Sequence, residues 1–118
     1  MLVDPDVLIQ DDSLSLNQGA LSYYKHIAGS ENLEWQEFVY LCEFYGIDMD
    51  KPFKDLTEYE KQIAMIGSDR PFSYTLVSRS GNQNHRNGFI EGPKRKIERL
   101  YVETQSQMLR DWYYSFMM

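Results

Sequence analysis

The stretch NHRNGFIEGPKRKIERLYVETQSQ, residues 84–107, contains a helix start that carries the wrong sign of charge. Gly92-Pro93 reads as the beginning of a helix, because the N–H that proline lacks is one that a first turn leaves unpaired in any case. Lys94, Arg95 and Lys96 follow at once. A helix amino terminus carries partial positive charge, so each cation there is unfavourable by about 0.3–1 kcal/mol. On that ground alone, exchanging the three for glutamate is expected to stabilise the domain by a similar amount per site. Two explanations stand side by side. A phosphate-like anion is received at the helix start, helped by Arg79, His85 and Arg86 from the preceding segment. Alternatively, the three side chains face water and are partly neutralised by Glu91 and Glu98, the latter at the four-residue spacing of an ordinary intrahelical pair with Lys94.

Downstream, Ile97, Tyr101, Thr104, Met108 and Trp112 fall on one stripe, widened by Leu100, Leu109 and Phe116. This predicts a long carboxy-terminal helix, with Arg95, Arg99, Ser106 and Arg110 on another face. Upstream, PFSYTLVSR (residues 71–79) alternates Phe72, Tyr74 and Leu76 against Ser73, Thr75 and Val77, the pattern of a strand. SGNQNHRNG then reads as a polar turn, with FIEG as the returning strand of a hairpin. Thr57-x-x-Glu60 is a capping box that opens a helix with Ile63 and Ile66 inward and Gly67 as its stop. ENLEWQEFVYLCEFYG predicts another helix, with Trp35, Phe38, Val39, Cys42 and Tyr45 on its apolar stripe and Gly46 at its end. A short helix is expected near residues 20–28, ending at Gly29, and residues 1–22 read as otherwise irregular.

The chain's 118 residues suit one modest core, and 42% hydrophobic with 14% aromatic residues is a globular composition. No apolar run approaches the roughly 20 residues that span a bilayer. The net charge of −6 conceals a division. Residues 1–60 hold three basic and thirteen acidic side chains, whereas residues 61–118 hold nine and five. Between Arg70 and Arg99 there are seven basic residues against two acidic. The halves either attract each other in the fold or leave a basic face for a polyanion.

Signs of catalysis are missing from the sequence. It has no phosphate loop and no dinucleotide fingerprint, and His26 and His85 lie far apart outside any metal-ligand spacing. Cys42 is the single cysteine, which excludes an internal disulfide and a cysteine-based zinc site and fits a reducing cytosol. Its place on an apolar stripe suggests a buried, inert thiol. Asp48-x-Asp50 lacks the glycine and distal glutamate of a calcium loop and reads as solvated turn carboxylates. Trp35, Tyr101 and Trp112 sit on apolar stripes and are assigned to the core rather than to base stacking.

Three blocks resemble a known family. LVDPDVLIQDDSLSLNQGAL (residues 2–21) is similar to a family pattern LVDPDLLIPDPSLSLREGAI. YGIDMDKPFKDL (45–56) resembles YGFDLDTPWKDL, and IEGPKRKIERLYVETQSQMLR (90–110) resembles FEGVIPNLERRYKETESEYVR. The family is UvrA, the damage-recognising component of the bacterial excinuclease ABC, and the region is its insertion domain. Glu91, Gly92, Glu98, Arg99, Tyr101, Glu103, Thr104, Ser106 and Arg110 match the family block. The resemblance implies that residues 1–118 are a single insertion domain within a larger cytoplasmic ATPase of nucleotide excision repair. That larger protein would hold the ATP and zinc sites, act as a homodimer and work with the B component of the excinuclease. The insertion domain itself would need no cofactor.

The chain departs from the family at Pro93-Lys94-Arg95-Lys96, at Ile90 and at Leu100, and the block around residues 30–44 is divergent. A UvrA-like paralogue associated with drug or toxin resistance is therefore the alternative parent.

The expected architecture is α+β: short helices and a β-hairpin packed with a long carboxy-terminal helix. The expected task is sequence-independent contact with duplex DNA through Arg79, Arg86, Lys94, Arg95, Lys96 and Arg99, because phosphate contacts position a protein without reading bases. The rival task is a protein-interaction or spacer module docking through the acidic half.

Overall fold

The computed structural model of the protein describes residues 2–117. The chain opens with a helical turn, α1 (Pro5–Leu8), capped by the Asp4 carboxylate, which accepts the Asp6 N–H at 3.0 Å. Two 3-10 turns follow at Leu16–Gln18 and Ser22–Tyr24. The first closes a capping box: Ser15 Oγ accepts the Gln18 N–H at 3.2 Å, and Gln18 Oε1 accepts the Ser15 N–H at 2.9 Å. These turns order a stretch that reads as irregular and deliver Leu8, Leu16, Leu21 and Tyr24 to the core. The helix expected over 20–28 is reduced to the second 3-10 turn and its trailing turns.

Helix α2 (Leu33–Phe44) ends as Gly46 predicts. Gly46 takes φ 64°, the Ile47 N–H donates to the Cys42 carbonyl at 2.9 Å, and the Gly46 N–H donates to Glu43 at 3.2 Å. Trp35, Phe38, Leu41 and Cys42 are buried along its inner face, while Val39 and Tyr45 lie at the margins. Burial pushes the Cys42 thiol well above its ordinary range, which makes it a poor nucleophile. Helix α3 (Glu58–Ile66) carries both halves of the Thr57/Glu60 capping box and buries Ile63 and Ala64, with Ile66 half-buried.

Strands β1 (Phe72–Val77) and β2 (Gln83–Gly88) form an antiparallel hairpin, from Phe72 opposite Gly88 to Val77 opposite Gln83. The returning strand is therefore the polar run QNHRNG, not FIEG. It is an exposed edge held by backbone pairing to β1, so its side chains need no apolar alternation. Residues 89–92 do something else. The Ile90 N–H donates to Ser68 Oγ at 2.9 Å, and the Ile90 carbonyl accepts the Ser68 N–H at 2.8 Å. Gly67 bridges Glu91, and the Gly92 N–H donates to the Ile66 carbonyl at 2.9 Å. This joint fixes the end of α3 against the start of the next helix.

The long carboxy-terminal helix is divided into α4 (Pro93–Glu103) and α5 (Gln107–Tyr114). Thr104 leaves the helical region with ψ 141°, the Ser106 N–H donates to Thr104 Oγ1 at 3.2 Å, and Ser106 Oγ caps α5 by accepting the Leu109 N–H at 3.2 Å. Local bonds of this kind compete with the helical ladder. The break resets the helical phase. Ile97 and Phe116 are buried as expected, but Met108, Leu109 and Trp112 become exposed, while Tyr113 turns inward. Trp112 stacks on Tyr23 with ring centres 5.1 Å apart. The ends of the described chain meet, with Val3 bridging Met117. The arrangement is α+β, and among the described residues no helix is long and apolar enough to cross a membrane.

Candidate nucleic-acid interface

The three cations at the start of α4 follow the helical rotation in three directions. Lys94 turns back along its own helix, where its Nζ lies 2.7 Å from Glu98 Oε2. The same oxygen accepts the Val3 N–H at 2.9 Å, so this pair also ties down the beginning of the chain. Arg95 points out and has no ion pair among the described residues. Lys96 points in.

Only 7% of Lys96 is exposed, and its Nζ sits 3.4 Å from Glu34 Oε2 and 3.3 Å from Glu37 Oε1. Both carboxylates project from α2. Tyr23 donates to Glu34 at 2.7 Å, and Tyr74 of β1 donates to Glu37 at 3.1 Å. The result is a connected network, Tyr23–Glu34–Lys96–Glu37–Tyr74, that joins a 3-10 turn, α2, the hairpin and α4. Sequence reading offered Lys96 to a phosphate, but the structure commits it to two acidic residues of the first half. The start of α4 is buried at Gly92 and Pro93, and the Gly92 N–H donates to the Ile66 carbonyl at 2.9 Å, so the end of α3 complements the helix terminus. The helix-start electrostatics are thus answered internally.

Arg99 is likewise occupied. Its Nη2 donates to Glu91 Oε1 at 2.6 Å, its Nε to Glu91 Oε2 at 2.9 Å and its Nη1 to Glu103 Oε2 at 2.8 Å. The guanidinium holds the Glu91 carboxyl below its ordinary range. Arg79, in the hairpin turn, is highly exposed and lies 3.7 Å from Glu31, a loose pair across the two halves. Arg86 stands on the exposed strand β2, opposite Tyr74, and makes no ion pair among the described residues. His85 on the same strand shares a 2.8 Å hydrogen bond with Thr75 across the hairpin. The six sequence-derived cations therefore separate into a structural group (Lys94, Lys96 and Arg99) and an outward group (Arg79, Arg86 and Arg95). Sequence reading missed Glu34 and Glu37 as the partners of Lys96, because 59 residues separate Glu37 from it. The charge division between the halves was the available signal.

The network predicts a pH dependence. Burial, with the Glu37 charge second, pushes the Tyr74 phenol up to about 12, and Tyr23 and Tyr24 are raised as well. The fold holds the neutral phenols, so their contribution is complete below the ordinary value of about 10 and is lost as pH rises through the folded value. Stability is expected to fall between about pH 10 and 12. Urea unfolding across this range should show a shallower decline for Tyr74→Phe; an unchanged decline would assign the loss to Tyr23 and Tyr24.

No cluster among the described residues offers three His, Cys, Asp or Glu side chains for a metal. Asp48 and Asp50 are exposed, and Asp50 Oδ1 accepts from Asn17 at 2.8 Å. A lone buried thiol does not fit the donor set of a zinc finger.

The fold belongs to a known class of module, one set within much longer chains. It superimposes on the crystal structure of UvrA2 from Deinococcus radiodurans with a TM-score of 0.67 over 98% of this chain and 15% of that one, at 16% identity. The family model of the UvrA DNA-binding domain matches residues 4–115. UvrABC system protein A of Mycoplasma genitalium is 39% identical over 114 residues, 97% of this chain and 12% of that one. Its counterpart in Staphylococcus aureus is 33% identical over 118 residues, 99% of this chain and 12% of that one. The chain belongs to the UvrA DNA-binding domain family and spans about an eighth of the length of these relatives.

Proposed function

We propose that the domain contacts duplex DNA without regard to sequence, within a damage-recognising ATPase of nucleotide excision repair. The observation that carries this reading is that, in a chain matching a DNA-binding family over residues 4–115, Arg79, Arg86 and Arg95 remain outward after the internal ion pairs are made. Guanidinium groups suit phosphate oxygens, and phosphate contacts suit inspection of any sequence. Lys94 and Arg99 are held by Glu98, Glu91 and Glu103, and Lys96 holds α4 in place. In this reading the chain itself takes neither zinc nor ATP. Both belong to the remainder of a larger cytoplasmic protein that acts as a homodimer with the B component of the excinuclease.

The test is a salt titration of duplex binding with Arg79, Arg86 and Arg95 changed together to glutamine. The salt dependence is expected to become shallower by up to about 0.9 per lost phosphate contact, equally for unrelated duplex sequences. Thermal stability should change little, because these side chains are exposed. An unchanged salt slope would favour the interaction-module reading. That reading has its own observation in the exposed apolar side chains of α5, with Met108 at 78% and Trp112 at 43% exposure.

A further inference from the structure

Among the described residues, Phe89 is the one aromatic side chain that is both well exposed, at 60%, and without an aromatic neighbour. The other exposed rings have partners: Phe44 stacks on Phe72, Tyr59 meets Tyr45, Trp112 stacks on Tyr23 and Tyr114 meets Tyr101. The backbone that carries Phe89 is fixed on both sides. Gly88 before it pairs with Phe72 as the last rung of the hairpin, and Ile90 after it is buried and doubly hydrogen-bonded to Ser68.

Phe89 also lines two concavities. One, of about 370 Å³, is lined by Arg86, Glu37 and Lys96, and the other, of about 320 Å³, by Arg95, Tyr59 and Ser68. The carboxylates nearby are already engaged. Glu91 is held by Arg99, and Asp69 accepts from Tyr45, Tyr59 and Arg70. What remains is an apolar ring on a rigid mount, with an arginine on either side that has no ion pair among the described residues.

We propose that Phe89 wedges into a base step of the bound duplex while Arg86 and Arg95 hold the phosphates on either side of that step. This rests on the DNA-contacting function proposed above and adds a preference to it. Inserting a ring between bases requires that they be unstacked, and a step already weakened by a mismatch or bulge gives way more readily than an intact one. Aromatic stacking on a base is tolerant of its identity, so the preference would be for deformability rather than for sequence.

The experiment compares the chain with its Phe89→Ala and Phe89→Trp variants on a fully paired duplex and on one with a two-nucleotide bulge. A 2-aminopurine beside the bulge reports unstacking. Wild type and Phe89→Trp are expected to prefer the bulged duplex, and Phe89→Ala to bind it about ten-fold more weakly while losing the 2-aminopurine signal. Its melting temperature and salt slope should match the wild type. Equal binding of both duplexes by wild type and Phe89→Ala, with the salt slope intact, would overturn the wedge and leave the phosphate-contacting reading standing. Wild-type binding without any salt dependence would overturn both.

Discussion

Replacing Lys96 with methionine is expected to destabilise the domain by about 3–5 kcal/mol, the usual consequence of removing one partner from a buried ion pair. The ammonium is almost wholly withdrawn from water and lies between Glu34 and Glu37. Without it, Glu37, only 16% exposed, keeps a single phenol donor from Tyr74. Glu34 is half in water, which places the effect toward the lower end of the range. The melting temperature should fall by about 12–20 °C for a chain of this size. Lys96→Glu should cost more, since a third carboxylate would join the two. This reverses the sign expected from helix-end charge, because a buried counter-charge outweighs a few tenths of a kcal/mol from the dipole. Combining Lys96→Met with Glu37→Leu should recover much of the loss, as matched apolar replacement of buried pairs commonly does. Added salt should barely alter these differences, because buried pairs are weakly screened. A fall of less than about 3 °C for Lys96→Met would mean that the network is solvated and contributes little.

Gly92→Ala and Gly67→Ala are each expected to destabilise by about 3 kcal/mol or more, through backbone overlap that no rotamer change relieves. A Cβ at Gly92 would lie 2.5 Å from the Met65 carbonyl oxygen and 2.7 Å from the Gly67 N. A Cβ at Gly67 would overlap the Ile90 carbonyl oxygen, at a residue whose φ of 114° already suits glycine alone. The two backbones approach this closely because α3 must end, receive the Ile90–Ser68 hydrogen bonds and hand over to α4 within one layer. Gly29→Ala provides the comparison. It has φ 77° but nothing within 4 Å, so it should show only the left-handed penalty of about 1–2 kcal/mol. Urea unfolding midpoints of the three variants would decide the matter; equal shifts would show that the close approach is relieved by movement of the chain.

Local patterns settled much of this protein in advance. The Thr57/Glu60 box, the Gly46 stop and the Pro93 start are each satisfied by atoms within a few residues, and these, with the alternation of Phe72–Val77, are found where the sequence places them. The same holds for Lys94–Glu98, one turn apart on α4. Three resembling blocks carried the family. What local patterns could not supply was any element whose reason lies elsewhere in the chain. Strand β2 has no apolar period because only its backbone is needed, by β1. The break at Thr104–Ser106 turns on hydrogen bonds too weak to overrule a stripe drawn through Met108 and Trp112 on paper, yet sufficient once Tyr113 can reach the core instead. The candidate interface shows the division most clearly. Composition gave an acidic half and a basic half, but not which cations the acidic half would take. Tertiary packing set Glu34 and Glu37 opposite Lys96, bound Glu91 to Arg99, and left Arg86 and Arg95 beside Phe89 in water. A side chain's charge is written in the sequence. Its partner is chosen by distance, and only the folded chain fixes that.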